Sequence, residues 1–342
     1  MAVTKAAVLK APYNISLEDV QKPEPGVREI LVRVRATGIC GTDVKMYSGK
    51  WKVKLPLIIG HESTGEVAGV GKEVTAFKVG DRVVINPVFS CGECYYCIKG
   101  RTNLCLSGGM LGRERSGTYA EYVVVPQRMA FKFPDNISFE NATVIELLVT
   151  VLHAQKRIRI FPGDSVAVLG QGAAGLLHTR LAKLSGADPV IVISRSQWKL
   201  DLAKRFGADK MVNATTDDVC AKIKEYTDGR GADVVIESVG SPETIRQCVT
   251  LVRPGGTVLL FGICPEPVDA FNAFPFYLNE IDVVGSRAMT DEDFEPCIRL
   301  VASNTVNVEP LITHRFPLGR LKEGLDFMCT SATDALRVAV IS

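Results

Sequence analysis

The sequence predicts a mixed α/β chain of two domains, a mainly β domain that brackets in sequence a doubly wound parallel sheet. Three observations carry this expectation. The 342 residues exceed what one core usually organises, and 46% apolar with 23% charged residues is an ordinary globular composition. From Lys5 to about Leu147 the apolar runs are short, as in Ile30-Leu31-Val32-Arg33-Val34 and Arg82-Val83-Val84-Ile85, and Gly, Pro and Asp break them in the rhythm of strands and turns. Beyond Gly163 the apolar strands Ser165–Leu169, Val190–Ile193, Asp233–Ile236 and Thr257–Leu260 alternate with amphipathic stretches of helical length, which requires a parallel sheet covered on both faces.

The alternation stops near Ile281-Asp282-Val283-Val284. From Arg287 the tail has helical stretches around Phe294 to Ser303 and Leu318 to Met328, then a last strand, Leu336 to Ile341, and is expected to return to the first domain. The domains are therefore drawn as residues 1–150 with 287–342, and 151–286. Internal repeats and low-complexity segments are absent. The longest loops surround a cysteine cluster, about residues 88–108, and Cys264 to Pro275, the second expected to border the active site.

Charge excludes some functions. Lys and Arg number 40 against 38 acidic residues, so there is no basic field for a phosphate backbone, and nucleic acid is not an expected partner. No segment approaches the ~20 apolar residues needed to span a bilayer, and Met1 to Lys10 lacks the apolar stretch of a secretory signal. The expected location is the cytoplasm, where ten cysteines do not form disulfides. Four of them crowd between positions 91 and 105, which points to metal.

Cys91, Cys94, Cys97 and Cys105 follow the spacing Cys-x2-Cys-x2-Cys-x7-Cys, with Gly92, Gly100 and Asn103 allowing tight turns. Four thiolates leave no open coordination position, so zinc here would be structural, replacing the core that a short loop cannot build. Lys99 and Arg101 would partly offset the charge. A second set, Cys40 in Gly38-Ile39-Cys40-Gly41-Thr42-Asp43 and His61 with Glu62 in Gly60-His61-Glu62-Ser63-Thr64-Gly65, offers a thiolate, an imidazole and a carboxylate in glycine-flanked turns. Such a mixed set with an open fourth position suits catalytic zinc, although core packing of Cys and His beside a surface acid gives the same spacing.

The run Leu169-Gly170-Gln171-Gly172-Ala173-Ala174-Gly175 follows an apolar strand and opens an amphipathic helix, the context of a dinucleotide-binding, Rossmann fingerprint. Gly170 permits the turn, Gly172 admits the pyrophosphate, Gly175 lets helix and strand pack, and the helix amino end at Ala173 and Ala174 favours phosphate. At the end of the next strand a carboxylate would accept a ribose 2′-hydroxyl and repel a 2′-phosphate. Ser194 stands there instead, followed by Arg195 and, one turn on, Lys199, so NADP is expected over NAD. Topology places Phe261, Gly262 and Ile263 at a carboxyl end of the same sheet, beside the nucleotide.

The run Gly60-His61-Glu62-x2-Gly65-x5-Gly71-x2-Val74, joined to Cys40-Gly41-Thr42-Asp43 and the four-cysteine lobe, resembles the zinc-containing medium-chain dehydrogenase family across essentially the whole chain. Within it the look is of sorbitol and other polyol dehydrogenases, threonine dehydrogenase and related sugar-acid oxidoreductases, which share Glu62 and a later acid matched by Glu146 in Val144-Ile145-Glu146-Leu147. The resemblance implies a GroES-like catalytic domain beside a Rossmann domain. It implies a catalytic zinc in the cleft between them on Cys40, His61 and Glu62, with Glu146 binding it directly or through water. The substrate would be a secondary alcohol on a polyol, sugar acid or related small molecule; threonine or a simple secondary alcohol is the alternative, and a non-enzymatic zinc- and nucleotide-binding relative the alternative of another class.

By the same resemblance Thr42 accepts the alcohol proton, Asp43 orients its turn, Met46 and Tyr47 point toward substrate, and Ser286 and Arg287 touch the nicotinamide end or a substrate oxygen. Two positions depart from the family pattern: Leu147 replaces the usual Pro, and Lys45 stands where His often relays the proton. Water is then the favoured exit, since a lysine ammonium is a poor proton exchanger at neutral pH. Relatives imply a homo-oligomer, a tetramer or a dimer. His153, His178 and His314, and Cys220, Cys248, Cys264, Cys297 and Cys329, show no ligand spacing; the cysteines are expected to be small buried residues.

Overall fold

The computed structural model describes residues 2–269, 272–330 and 334–342. The chain divides into two compact units, Met1–Val149 with Met289–Ser342, and Thr150–Ala288. The expected loop Cys264 to Pro275 includes residues 270 and 271, which lie outside the described set.

The first unit is built mainly of antiparallel strands. Its seven-stranded sheet centres on Glu29–Gly38, which pairs with Glu62–Val70, Tyr122–Pro126 and the last strand, Arg337–Ile341. Beyond that last strand lies Ile312–Pro317, which pairs with it in parallel. Ile30, Val32, Val34, Val67, Val83 and Ile85 fill one core beneath this sheet. A second core gathers Leu9, Ile39, Ile59, Tyr119, Leu318, Leu321 and Val338. Glu62 and Gly38 are register partners, so the pairing of Glu29–Gly38 with Glu62–Val70 brings the turn holding Cys40 to the turn holding His61.

The second unit holds a six-stranded parallel sheet in the order Lys210–Asn213, Val190–Ser194, Val166–Leu169, Ala232–Glu237, Val252–Leu260, Asp282–Gly285. Val166 to Leu169 and Val190 to Val192 are at most 1% exposed, as strands covered on both faces must be. In chain order the sheet reads 3-2-1-4-5-6, and the direction of winding switches between Val166–Leu169 and Ala232–Glu237, where such sheets bind ligands at their carboxyl ends.

The tail helices Phe294–Ala302 and Leu321–Thr330 form near their expected places. Ile312–Pro317 was not anticipated, since Thr313, His314, Arg315 and Pro317 hide its strand character. Of the five cysteines expected to be buried, only Cys248 and Cys297 are; Cys220 and Cys264 are half-buried and Cys329 is exposed.

Candidate metal centre and nucleotide site

Cys40 caps the helix Gly41–Tyr47, and Glu62, directly after His61, opens the strand Glu62–Val70. One ligand atom from each lies within 4.8 Å of the others, and His61 and Glu62 are 3% and 1% exposed. Asp43 binds the two turns together: its carboxylate accepts from Cys40 N at 3.0 Å and from Gly60 N at 3.2 Å, and His61 Nδ1 stands 3.2 Å from Oδ1. A carboxylate behind Nδ1 favours a proton on that nitrogen, which would leave Nε2 for a metal. Burial works against charge on His61, but the Asp43 carboxylate and the Cys40 sulfur outweigh it and raise its pKa well above the ordinary value. Burial likewise opposes the Cys40 thiolate, and His61 reverses the balance and lowers its pKa.

Arg337, a residue that sequence reasoning did not single out, reaches Glu62 from the last strand. Its Nη1 donates to Glu62 Oε1 at 3.0 Å, its Nη2 contacts Oε2, and the guanidinium is 6% exposed. The signal was available in Leu336-Arg337-Val338-Ala339-Val340, where a cation inside an apolar strand requires a buried partner. Tyr119, whose hydroxyl lies 3.0 Å from Asp43 Oδ2, gave no sequence signal.

Glu146 lies in the helix Phe139–Gln155, 6% exposed. It falls outside the three-residue cluster, yet burial pushes its carboxyl up to about 7 while the charges of His61 and Asp43 act on it in opposite directions. Thr42 is buried in the first turn after Cys40. Met46 and Tyr47 correct the expectation that they point toward substrate: they are 2% and 0% exposed in the second core, and the Tyr47 hydroxyl donates to Asp326 at 2.6 Å.

The sulfurs of Cys91, Cys94, Cys97 and Cys105 form an open quartet. Neighbouring pairs are separated by 3.5 Å for Cys94 with Cys97 and Cys105 with Cys91, and by 3.9 Å for Cys91 with Cys97 and Cys94 with Cys105. A tetrahedron with Zn–S near 2.3 Å has edges of about 3.8 Å, so the quartet fits a zinc ion and is far too wide for disulfides. Backbone N–H groups of Cys94 and Cys91 donate to the sulfurs of Cys91 and Cys105 at 3.3 and 3.2 Å. Donation from the Glu93 and Cys94 backbone lowers the Cys91 pKa to about 6.

In the second unit Gly172 caps the helix Ala173–Leu184. Gly170 has φ of 88°, a Cβ on Gly175 would collide with the Gly170 carbonyl, and a Cβ on Gly172 would meet no atom within 4 Å. The amino end of the helix, with Ala173 and Ala174, is thus approachable by a phosphate. Ser194 ends its strand and accepts from Ser196 N at 3.2 Å; Arg195 is exposed and has no ion-pair partner among the described residues. Lys199 holds its ammonium 5.2 Å from the Trp198 ring. Gly262 and Ile263 follow the strand Val252–Leu260, held by Gly262 N donating to Glu237 O at 3.0 Å. Ser286 N donates to Leu260 O, and Arg287 beside it is exposed.

Residues 26–135 match the alcohol dehydrogenase GroES-like domain and residues 173–303 the zinc-binding dehydrogenase domain. The chain is 34% identical over 342 residues to a sorbitol dehydrogenase of Bacillus subtilis, covering 98% of this chain and 96% of that one. It is 36% identical over 331 residues to an L-threonine 3-dehydrogenase of Pyrococcus furiosus, covering 95% and 94%. A zinc-binding dehydrogenase from Sinorhizobium meliloti 1021, solved bound to NADP, superposes with a TM-score of 0.94 at 35% identity over all of both chains. The first unit is accordingly GroES-like and the second Rossmann-like, and the chain belongs to the zinc-containing medium-chain dehydrogenases, zinc-dependent enzymes that act on alcohol groups.

Proposed function

We propose that this enzyme reversibly oxidises a secondary alcohol group of a polyol, sugar acid or related small hydroxylated compound, with NADP preferred over NAD. One juxtaposition supports this most: a thiol, an imidazole and a carboxylate with ligand atoms within 4.8 Å of one another. Cys40, His61 and Glu62 would hold the catalytic zinc, with Glu146 reaching it directly or through water. Cys91, Cys94, Cys97 and Cys105 would hold the structural one.

A zinc ion held by the first set would supply Lewis acidity that brings an alcohol's pKa toward neutrality. Asp43 aims the imidazole, and Arg337 offsets the Glu62 charge. Thr42, in the turn after Cys40, takes the alcohol proton and passes it to water. Gly170, Gly172, Ala173, Ala174 and Gly175 would cradle the pyrophosphate. Ser194, Arg195 and Lys199 would receive the 2′-phosphate, and Gly262, Ile263, Ser286 and Arg287 would border the nicotinamide end. Arg195, exposed and without an ion-pair partner among the described residues, follows a serine rather than a carboxylate, which supports NADP. The resemblance to threonine dehydrogenase favours a second reading in which the alcohol is threonine or a simple secondary alcohol. A cytoplasmic location belongs to the same reading, and the exposed Val283 on the edge strand Asp282–Gly285 agrees with a homo-oligomer, tetramer or dimer.

Initial rates with NADP and NAD across polyols, sugar acids, threonine and secondary alcohols test this. Expected is oxidation of a polyol or sugar acid with NADP favoured about tenfold or more, a margin that Arg195→Ala removes. A preference for NAD overturns the cofactor assignment, and turnover of threonine alone overturns the substrate class.

A further inference from the structure

We infer that Tyr119 is a positioning residue for the catalytic centre: its hydroxyl locks the Asp43 carboxylate that aims the His61 imidazole. The inference rests on the reading that Cys40, His61 and Glu62 hold zinc. Asp43 is fully buried and faces four donor atoms, three of them hydrogen-bonded to it and the fourth, His61 Nδ1, in close contact only. Cys40 N and the Tyr119 hydroxyl each lie 3.0 Å from Oδ2, while Gly60 N and His61 Nδ1 each lie 3.2 Å from Oδ1. Three of these donors belong to the ligand-bearing turns themselves. Tyr119 comes from elsewhere, and it is anchored independently of the carboxylate.

That anchoring is threefold. The segment leading to it is stitched to the His61 turn by Gly117 N to Ile58 O at 2.7 Å, Thr118 N to Gly60 O at 3.0 Å and Tyr119 N to Ile59 O at 3.1 Å. Its ring fills the space over Gly60 so closely that a Cβ there would come within 2.9 Å of it. The side chain is wholly buried. The hydroxyl also lies 3.2 Å from Gly38 O, but a carboxylate is the stronger acceptor and the shorter contact takes the proton.

The terminal torsion of an aspartate is soft, so the carboxylate needs fixed donors on both oxygens to hold its plane. Without the hydroxyl, Oδ2 keeps only Cys40 N among the described residues, and rotation would carry Oδ1 away from His61 Nδ1. The imidazole then loses both the partner that fixes its tautomer and the constraint that points Nε2 at the ion.

Tyr119→Phe deletes one oxygen and keeps the ring. In the full-length protein loaded with two zinc ions, release to a chelator is followed with a zinc-responsive dye, and Cys97→Ser identifies the phase that belongs to the four-cysteine lobe. Release from the centre is expected to quicken about tenfold, with the lobe unchanged. Introducing Tyr119→Phe into Asp43→Asn should change release by less than about twofold. Equal acceleration of both ions, no acceleration, or an undiminished effect beside Asp43→Asn overturns the role of Tyr119. Wild-type protein that takes only one zinc, in the lobe, overturns the reading of the centre along with it.

Discussion

The two candidate metal clusters are made in opposite ways. The lobe draws all four sulfurs from Cys91 to Cys105, and Cys91 is exposed there. The centre draws Cys40 from a helix cap, His61 and Glu62 from a strand start, Tyr119 from a loop, Glu146 from a long helix and Arg337 from the last strand, nearly all of them buried. In the lobe the local backbone lowers the Cys91 thiol through the Glu93 and Cys94 donors, while burial pushes the Cys97 thiol up to about 11. In the centre the tuning is done by side chains distant in sequence. A closed set of like ligands needs only spacing, whereas an open set of unlike ligands needs a fold around it.

This contrast can be broken at its strongest point by Cys40→Ala. Turnover is expected to fall roughly a thousandfold or more, matching the several kcal/mol that a Lewis acid supplies, while the lobe keeps its zinc. Steady-state rates with metal analysis check it, and loss of both ions would mean the clusters are not independent.

Next is Arg337→Ala, which leaves Glu62 buried without its counter-charge and should destabilise the protein by about 3–5 kcal/mol, most in the metal-free form. Thermal melts with and without zinc measure this.

Glu146→Gln sharpens the contrast through pH. A carboxyl raised from 4.5 to about 7 by burial binds its proton more tightly in the folded chain. Its contribution is therefore full below pH 4.5 and is lost as pH rises to about 7, by at most ~3 kcal/mol. Denaturant titrations of metal-free protein should show that decline in the wild type and a flatter profile in the variant.

The smallest effect is expected at the lobe. Cys97→Ser should cost one zinc and about 2 kcal/mol, a Tm drop of roughly 4–8 °C, with turnover per folded molecule nearly unchanged.

What could be read from sequence follows the same division. The quartet of cysteines, the strand and glycine run from Val166 to Gly175, and the alternation beyond it are local patterns, and the structure has them where the sequence put them. Met46 and Tyr47 were misread because a position beside a ligand turn says nothing about which way the helix faces; the contacts of Leu318, Leu321 and Leu325 decide that. Arg337 escaped because its partner lies 275 positions away. Ile312–Pro317 escaped because its strand character comes from pairing with Arg337–Ile341 rather than from its own residues.

Arg337 belongs to a strand that joins Ala36–Gly38 only after the whole of Thr150–Ala288 has been made. During synthesis the four cysteines of the lobe are all in place by residue 105, while Glu62 is without its counter-charge until nearly the end of the chain. Until then a bound cation is the counter-charge open to Glu62, so a chain lacking the last strand should depend on zinc for its stability more than the full-length protein does.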